Sequence, residues 1–571
     1  MKNQTAPKGK DYIRSFYKGN KLLFVAVLLI TPFLTAAYLS ITVLIGQLLD
    51  IITGGTEAQL LRVALLILAT IAAYFVLGIL EGRLKARFIQ KAVRNYRNYC
   101  YGKLTAKAIS AFSKENTGRY LSVLTNDVTS IEEKYLANIF DVVFDLFLFV
   151  ATLCLLMYYS PVLTVVSIVL CILPLVVAIS MGGKMAVNEK AVSEQNEKFV
   201  GSLQDLLRGF SVIKSFKAES RVKTVFSSEN EQLEDKKFSR RWYQRLMYVS
   251  SVAASLFMQM GLFSVATFLA LRGNITVGTV LIFANGANYL VSPIRELPQL
   301  FAGIKSAKAL VVKMSEVAEE NVRNDGLKIN GELKNEISLK DVTFGYGEDT
   351  ILDGINLDLK KGGRYAIVGM SGSGKSTLLN LLMGANSNYS GSIAIDGHEL
   401  RDVNADSLYD VMSLIGQDVF CFNDTIRNNI TMFGDFPEKD VKTAAARAGL
   451  DKLISEKGYD YICGENGNGL SGGERQRISI ARCLLKGTPV LLVDEATAAL
   501  DAETAKSVNE SILNLDDVTS VTVTHRLEES ILKLYDEIFV LREGRIEEQG
   551  DFASLMQENG LFYSLYTLSN T

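Results

Sequence analysis

Histidine is nearly absent: the 571 residues contain only His398 and His525. Six cysteines (Cys100, Cys154, Cys171, Cys421, Cys463 and Cys483) form no C-x-x-C pair. With so few histidines to assist them, neither a disulfide scaffold nor a zinc site is expected. Proline is scarce at 8, and with 44 glycines this excludes collagen-like or proline-rich disorder. An excess of one charge is missing too. Sixty Lys and Arg face 62 Asp and Glu, and no acidic or basic tail exists. This argues against a nucleic-acid partner held by bulk basicity.

Apolar residues are abundant and unevenly spread. Mean hydropathy is +0.18 although 21% of residues are charged, so the apolar ones must be concentrated in one part. Leu22 to Leu49 is 28 residues without a charge, and Val63 to Leu80 is 18. Leu146 to Gly183 is 38, too long for one crossing, and breaks at Tyr158-Tyr159-Ser160-Pro161 into two. Leu246 to Leu271 gives 26 and Gly273 to Ile294 gives 22. A bilayer core needs about 20 apolar residues per helix, so six transmembrane helices are predicted, at about 22–49, 61–82, 136–158, 161–183, 246–271 and 274–300.

The connections orient them. Residues 83–134 carry 11 Lys and Arg and 184–245 carry 13, whereas the short connections near 51–60 and 158–162 carry none. The positive-inside rule places the two long loops, the N-terminus and everything after residue 295 in the cytoplasm of a multi-pass protein of the cell membrane. The long loops are themselves rich in helix formers, so the helices should extend well beyond the bilayer. The first run is too long for a signal peptide and reads as an uncleaved helix. Just before it, Tyr12, Ile13, Phe16 and Tyr17 recur at helical spacing among Lys10, Arg14 and Lys18. This stretch either lies in the membrane interface or is an ordinary solvated helix.

From Ile337 short β-rich runs alternate with helices. The strand Arg364 to Val368 leads into Gly369-Met370-Ser371-Gly372-Ser373-Gly374-Lys375-Ser376-Thr377 and a Leu-rich helix. This is G-x-x-x-x-G-K-S in strand–loop–helix context. Gly369, Gly372 and Gly374 let backbone N–H groups curl round phosphates, with Ser371 and Thr377 in the same segment. Lys375 reaches the β- and γ-phosphates, and the Ser376 hydroxyl ligates Mg²⁺. A second strand, Val490 to Val493, ends in Asp494-Glu495. An acid at the end of a hydrophobic strand can hold Mg²⁺ opposite the phosphate loop, and Glu495 is placed to accept a proton from an attacking water. Ser471-Gly472-Gly473-Glu474 opens another helix. The S-x-x-E spacing makes a capping box, while paired glycines at a helix start also offer N–H groups to an anion. The expected fold is an α-helical membrane domain plus an α/β P-loop ATPase domain. Its divisions are 1–315, a linker at 316–335 drawn from the charged stretch Ala302 to Asn335, and 336–571.

These motifs make the chain similar to an ATP-binding cassette (ABC) half-transporter of the exporter type, over nearly its whole length. The resemblance implies ATP and Mg²⁺ as ligands and a set of roles. Tyr346 in Phe344-Gly345-Tyr346 matches the aromatic that stacks on adenine. Gly369 to Thr377 matches Walker A, and Gln417 matches the Q-loop glutamine, which acts in catalysis and at the metal. Leu470 to Glu474 (with Ser471, Gly472 and Gly473) matches the signature motif that binds the γ-phosphate of ATP held by the partner domain. Asp494 and Glu495 match the Walker B aspartate and catalytic glutamate, Asp501 the D-loop aspartate, and His525 the switch histidine. Thr117 to Asp127 and Gly209 to Glu219 resemble the two coupling regions. Ala498 departs from a frequent Ser and Glu474 from a frequent Gln.

The resemblance implies an ATP-driven transporter, an exporter or flippase of a drug, lipid or peptide-like substrate, working by alternating access in a homodimer or heterodimer. An importer on the exporter plan (siderophore uptake, for example) and an ATP-gated regulator are the alternatives; intact Glu495 and His525 disfavour the second. No peptidase domain precedes residue 10, so export coupled to leader-peptide cleavage is not expected. Asn285, Asn288 and Ser292 share one face with Arg295 a turn below. They line a pathway or serve helix–helix hydrogen bonding. Asp141 and Asp145 are either cavity acids or groups at the cytoplasmic edge.

Overall fold

In a bilayer a chain can satisfy its own backbone N–H and C=O groups by forming helices, and each apolar run of this chain lies in one. The computed structural model describes residues 9–107, 117–319, 326–347, 349–417, 419–495 and 502–570. They form two units, a helical one of residues 9–105 and 117–319 and an α/β one of residues 326–570 that also takes in 106–107.

The helical unit opens with α1 (Lys10–Tyr17), followed by α2 (Lys21–Ile52) and α3 (Glu57–Thr105). Then comes α4 (Asn138–Tyr159), preceded by a helical lead-in with two π-wound stretches, Val123–Asp127 and Glu132–Ala137. Next are α5 (Pro161–Arg208), the short α6 (Phe210–Ser215), α7 (Glu219–Leu271) and α8 (Val277–Glu319). Among the described residues six helices are long and apolar enough to cross a membrane: α2, α3, α4 with its lead-in, α5, α7 and α8. Pro161 starts α5 at the position where its missing N–H costs nothing, and Ser160 Oγ accepts from Leu163 N at 3.4 Å. The apolar window of α3 is 6% buried and that of α8 61%. Accordingly the apolar stretch of α3 is left largely uncovered by the rest of the chain, while α8 runs through the middle against α2, α4, α5 and α7.

Backbones approach most closely where α8 meets α2. A Cβ on Gly278 would stand 2.1 Å from the Gly46 carbonyl oxygen, so only glycine fits. Asp50 completes that junction, accepting from Gly278 N at 2.7 Å and Thr276 Oγ1 at 2.9 Å. It thereby caps the start of α8 from another helix.

Two features depart from expectation. Residues 302–319 were assigned to the charged run leading into the linker, yet α8 continues through them to Glu319. Ala307, Val311, Met314, Val317 and Ala318 bury one face there, which holds the helix past its charges. The stretch Tyr12–Tyr17 has its apolar face covered by protein, while Asp11 and Arg14 stay exposed. Tyr12 and Phe16 are 1% and 0% exposed, packed on Tyr99 and Tyr96 of α3 at ring distances of 5.0 and 4.8 Å. Asn20 Nδ2 donates to Phe88 O at 2.9 Å and ties the same corner. The amphipathic pattern there reports a protein surface, not a lipid one.

In the α/β unit, β1 (Glu336–Tyr346), β2 (Asp349–Lys360), β4 (Ser390–Ile395) and β5 (His398–Glu399) form an antiparallel sheet ordered β2-β1-β4-β5. The second sheet contains β3 (Arg364–Gly369), β6 (Met412–Ile415), β7 (Val490–Asp494), β8 (Thr519–Val523), β9 (Glu537–Arg542) and β10 (Arg545–Gly550). Its order is β10-β9-β3-β8-β7-β6, parallel except for β10. Strands β3, β7 and β8 read as continuous apolar or β-branched runs because both faces are covered. The C-terminal ends of parallel strands are where such sheets place ligands.

Candidate functional site

Four of those strand ends carry the predicted nucleotide residues. The phosphate loop follows β3, Gln417 follows β6, Asp494 and Glu495 end β7, and His525 follows β8. After the loop, α9 (Lys375–Leu382) begins with its N-terminal N–H groups facing the turn.

The loop depends on backbone that a side chain would block. Gly369 has φ +154, and a Cβ there would stand 2.2 Å from the Leu541 carbonyl oxygen. Gly374 has φ +102 at the helix cap, with Leu352 Cδ2 2.7 Å from its would-be Cβ. Gly372 has φ +81 with open space around it. Ser371, Gly372 and Ser376 are exposed and Thr377 is half-buried. Ser373 was not singled out in the sequence. Its hydroxyl is buried with no hydrogen-bond partner among the described residues, an orphan donor inside the candidate phosphate cradle.

Lys375 is buried, and its Nζ donates to Gly369 O at 3.0 Å and Met370 O at 2.8 Å. Burial lowers its pKa, opposed by Glu495 and Asp494. Asp494 moves the other way: burial raises its pKa and Glu495 adds to this, against the Ser376 hydrogen bond. Ser376 Oγ donates to Asp494 Oδ1 at 3.2 Å. Two hard oxygen ligands from different strand ends therefore sit side by side. Among the described residues no three His, Cys, Asp or Glu side chains are placed to hold a metal ion by themselves. That is compatible with Mg²⁺, which takes one or two carboxylates and completes its shell with phosphate and water.

Glu495 stands at φ +50, unusual for a side chain of its size. Its N–H donates to Val523 O at 3.2 Å. The carboxylate is held from both sides: Gln417 Nε2 donates to Oε2 at 3.3 Å, and His525 Nε2 lies 2.9 Å from Oε1. A carboxylate fixed between two such groups has the fixed aim that a general base needs.

Other predicted residues lie apart from this cluster. Tyr346, at the end of β1, is 46% exposed and touches Phe344 edge-on at 5.0 Å. Its open face is free to stack. Ser471 caps α10 (Gly472–Lys486) in a full capping box. Ser471 N donates to Glu474 Oε2 at 2.6 Å, and Glu474 N donates to Ser471 Oγ at 3.3 Å. Ser471 and Gly472 remain exposed and Gly473 half-buried, so the cap and an open anion-facing edge coexist. Asp501 and Ala498 lie outside the described residues. In the helical unit Asn288, Ser292, Arg295, Asp141 and Asp145 line one cavity, and Asn285 does not.

The sequence matches the family model described as ABC transporter over residues 352–498, and that described as ABC transporter transmembrane region over residues 23–294. An ATP-dependent lipid A-core flippase of Syntrophus aciditrophicus is 31% identical over 552 residues, covering 93% of this chain and 89% of that protein. A protein of the same name from Pectobacterium atrosepticum is 30% identical over 498 residues, covering 84% and 83%. A solved structure of a bacterial Atm1-family ABC exporter with ATP bound aligns at a TM-score of 0.85 and 25% identity, covering 96% of this chain and 98% of that one.

Proposed function

The chain belongs to the ABC transporter family as an ATP-driven, exporter-type membrane protein with a cytoplasmic ATPase domain, and from that premise we propose how it divides the work and what it moves. Two copies assemble, each supplying a phosphate loop to one nucleotide and a signature edge to the other. The observation that carries this is the exposed edge at Ser471 and Gly472. It is an anion-binding helix start carried on α10 and not on any of the four strand ends that form the phosphate site. The chain retains Lys375, Gln417, Ser471, Asp494, Glu495 and His525, so a homodimer has two complete sites.

Within each site Gly369 to Thr377 wraps the phosphates, Lys375 compensates their charge and Tyr346 stacks on adenine. Ser376, Asp494 and Gln417 would hold Mg²⁺, which when bound would neutralise charge on the phosphate oxygens. Glu495 takes the proton from attacking water while Gln417 and His525 keep it aimed. Asp501 belongs to the dimer contact. Nucleotide binding closes the two ATPase domains and hydrolysis reopens them. The loops around Thr117–Asp127 and Gly209–Glu219 carry that motion to the helices. Phe210, Val212 and Phe216 at the second loop are exposed and apolar, a surface suited to being gripped. The names of the relatives favour an amphiphilic, lipid-like substrate moved outward.

The test is to purify this chain alone in lipid nanodiscs and measure its mass and ATPase activity. A stable dimer with cooperative hydrolysis is expected. A fully active monomer, or turnover only after a different chain is supplied, overturns the homodimer.

A further inference from the structure

A second site lies among the spanning helices, in a cavity of about 520 Å³ lined from α2, α3, α4, α7 and α8, within the usual size range of small-molecule sites. Part of its lining is aromatic. Tyr38 of α2 contacts Tyr289 of α8 at a ring distance of 5.0 Å and Tyr74 of α3 at 5.8 Å. Thr42 Oγ1 lies 3.1 Å from the Tyr289 hydroxyl and fixes that ring.

Another part of the lining is acidic, with Asp141, Asp145 and Glu296, and its charges do not cancel. Lys85 Nζ donates to Asp141 Oδ1 at 2.5 Å. Arg295 Nη2 and Ser292 Oγ both donate to Glu296 Oε1, at 3.1 and 2.8 Å. Each of these two cations is thus already matched to a carboxylate. Asp145 is different. It is only 6% exposed, and its Oδ2 is buried with no hydrogen-bond partner among the described residues. An unmatched carboxylate among membrane helices is costly and marks a functional position.

Resting on the transporter reading above, we infer that this cavity binds the transported molecule, and that the molecule is an amphipathic organic cation with an apolar or aromatic body. Asp145 supplies the counter-charge, and the faces of Tyr38, Tyr74 and Tyr289 take the body and add cation–π attraction. An anionic headgroup would meet Asp145 unscreened.

Two ions of nearly equal shape and opposite charge test this, tetraphenylphosphonium and tetraphenylborate. Each is equilibrated without nucleotide against the full chain in zwitterionic nanodiscs, with empty nanodiscs subtracted. The phosphonium should bind saturably and the borate should not. Asp145→Asn should weaken the phosphonium at least about tenfold, since it removes the one unmatched charge. Arg295→Gln should strengthen it by freeing Glu296, a gain that a misfolded variant cannot give. Absence of saturable phosphonium binding, equal binding of both ions or preference for the borate overturns the inference. So does an affinity unchanged by Asp145→Asn, or lost there without a gain in Arg295→Gln. Because no ATP is present, any of these leaves the transporter reading intact; that reading fails separately, if the wild-type chain hydrolyses no ATP.

Discussion

The proposed nucleotide site is built around the backbone of one contiguous stretch, Gly369 to Thr377, to which Gln417, Asp494, Glu495 and His525 add side chains from other strand ends. The membrane cavity consists of side chains on five helices, from Tyr38 to Glu296. Backbone amides are common to all non-proline residues, so the first surface can be spoiled by closing the loop but hardly retuned. In the role inferred for it, the second would change its preference with a single carboxylate. On this reading the chain keeps one chemistry fixed at its engine and leaves the other open to variation at the proposed cargo site.

The sharpest way to break that comparison is at Glu495. Glu495→Gln should keep nucleotide binding and lower steady-state hydrolysis by about 10²–10⁴-fold, the range for a lost general base. Near-normal turnover would mean that the held carboxylate is structural. Next in size is Lys375→Ala, which removes a charge from the loop and should weaken binding of a fluorescent ATP analogue by about 10–100-fold. A smaller loss there would shift the weight of recognition still further onto backbone.

On the membrane side, Asp50→Ala deletes the cap donated to α8 and should destabilise the helical unit by about 1–2 kcal/mol. This is readable as a lowered melting temperature in detergent, and Asp50→Asn should recover part of it. The smallest effect is expected at adenine. Tyr346→Ala should raise the KM for ATP by about 2–10-fold with kcat little changed, since stacking is made equally in ground and transition states. Tyr346→Phe should be mild, and an unmoved KM in the Ala variant would return Tyr346 to a packing role.

Legibility in the sequence follows the same division. The six spans and the phosphate loop can be read because their signals are local: uninterrupted apolar runs, and glycines at fixed offsets before Lys375. Gln417, Asp494, Glu495 and His525 each follow an apolar strand, but their meeting depends on the strand order β3-β8-β7-β6, which no local pattern encodes. Ser373 escaped notice because its significance lies in a missing partner, visible only once the loop is folded. Glu296 and the Tyr38–Tyr74–Tyr289 group escaped for another reason. Their signal is a convergence of helices far apart in sequence, each residue being unremarkable on its own. The N-terminal helix misled in the opposite direction, because an amphipathic face looks the same whether lipid or Tyr96 and Tyr99 covers it.

The pairing of α5 with α7 has a mechanical consequence. They contain 48 and 53 residues, pack against one another and are joined through α6. At 1.5 Å per residue a straight α7 is about 80 Å long. Two rods laid side by side resist flexing more than either alone, so the pair acts as a beam. A rotation of about 5° at one end of a beam this long displaces the other by about 7 Å. Leverage of this kind turns a small angular change into a movement as large as a side chain, and helices confined to the bilayer thickness would deliver less than half of it.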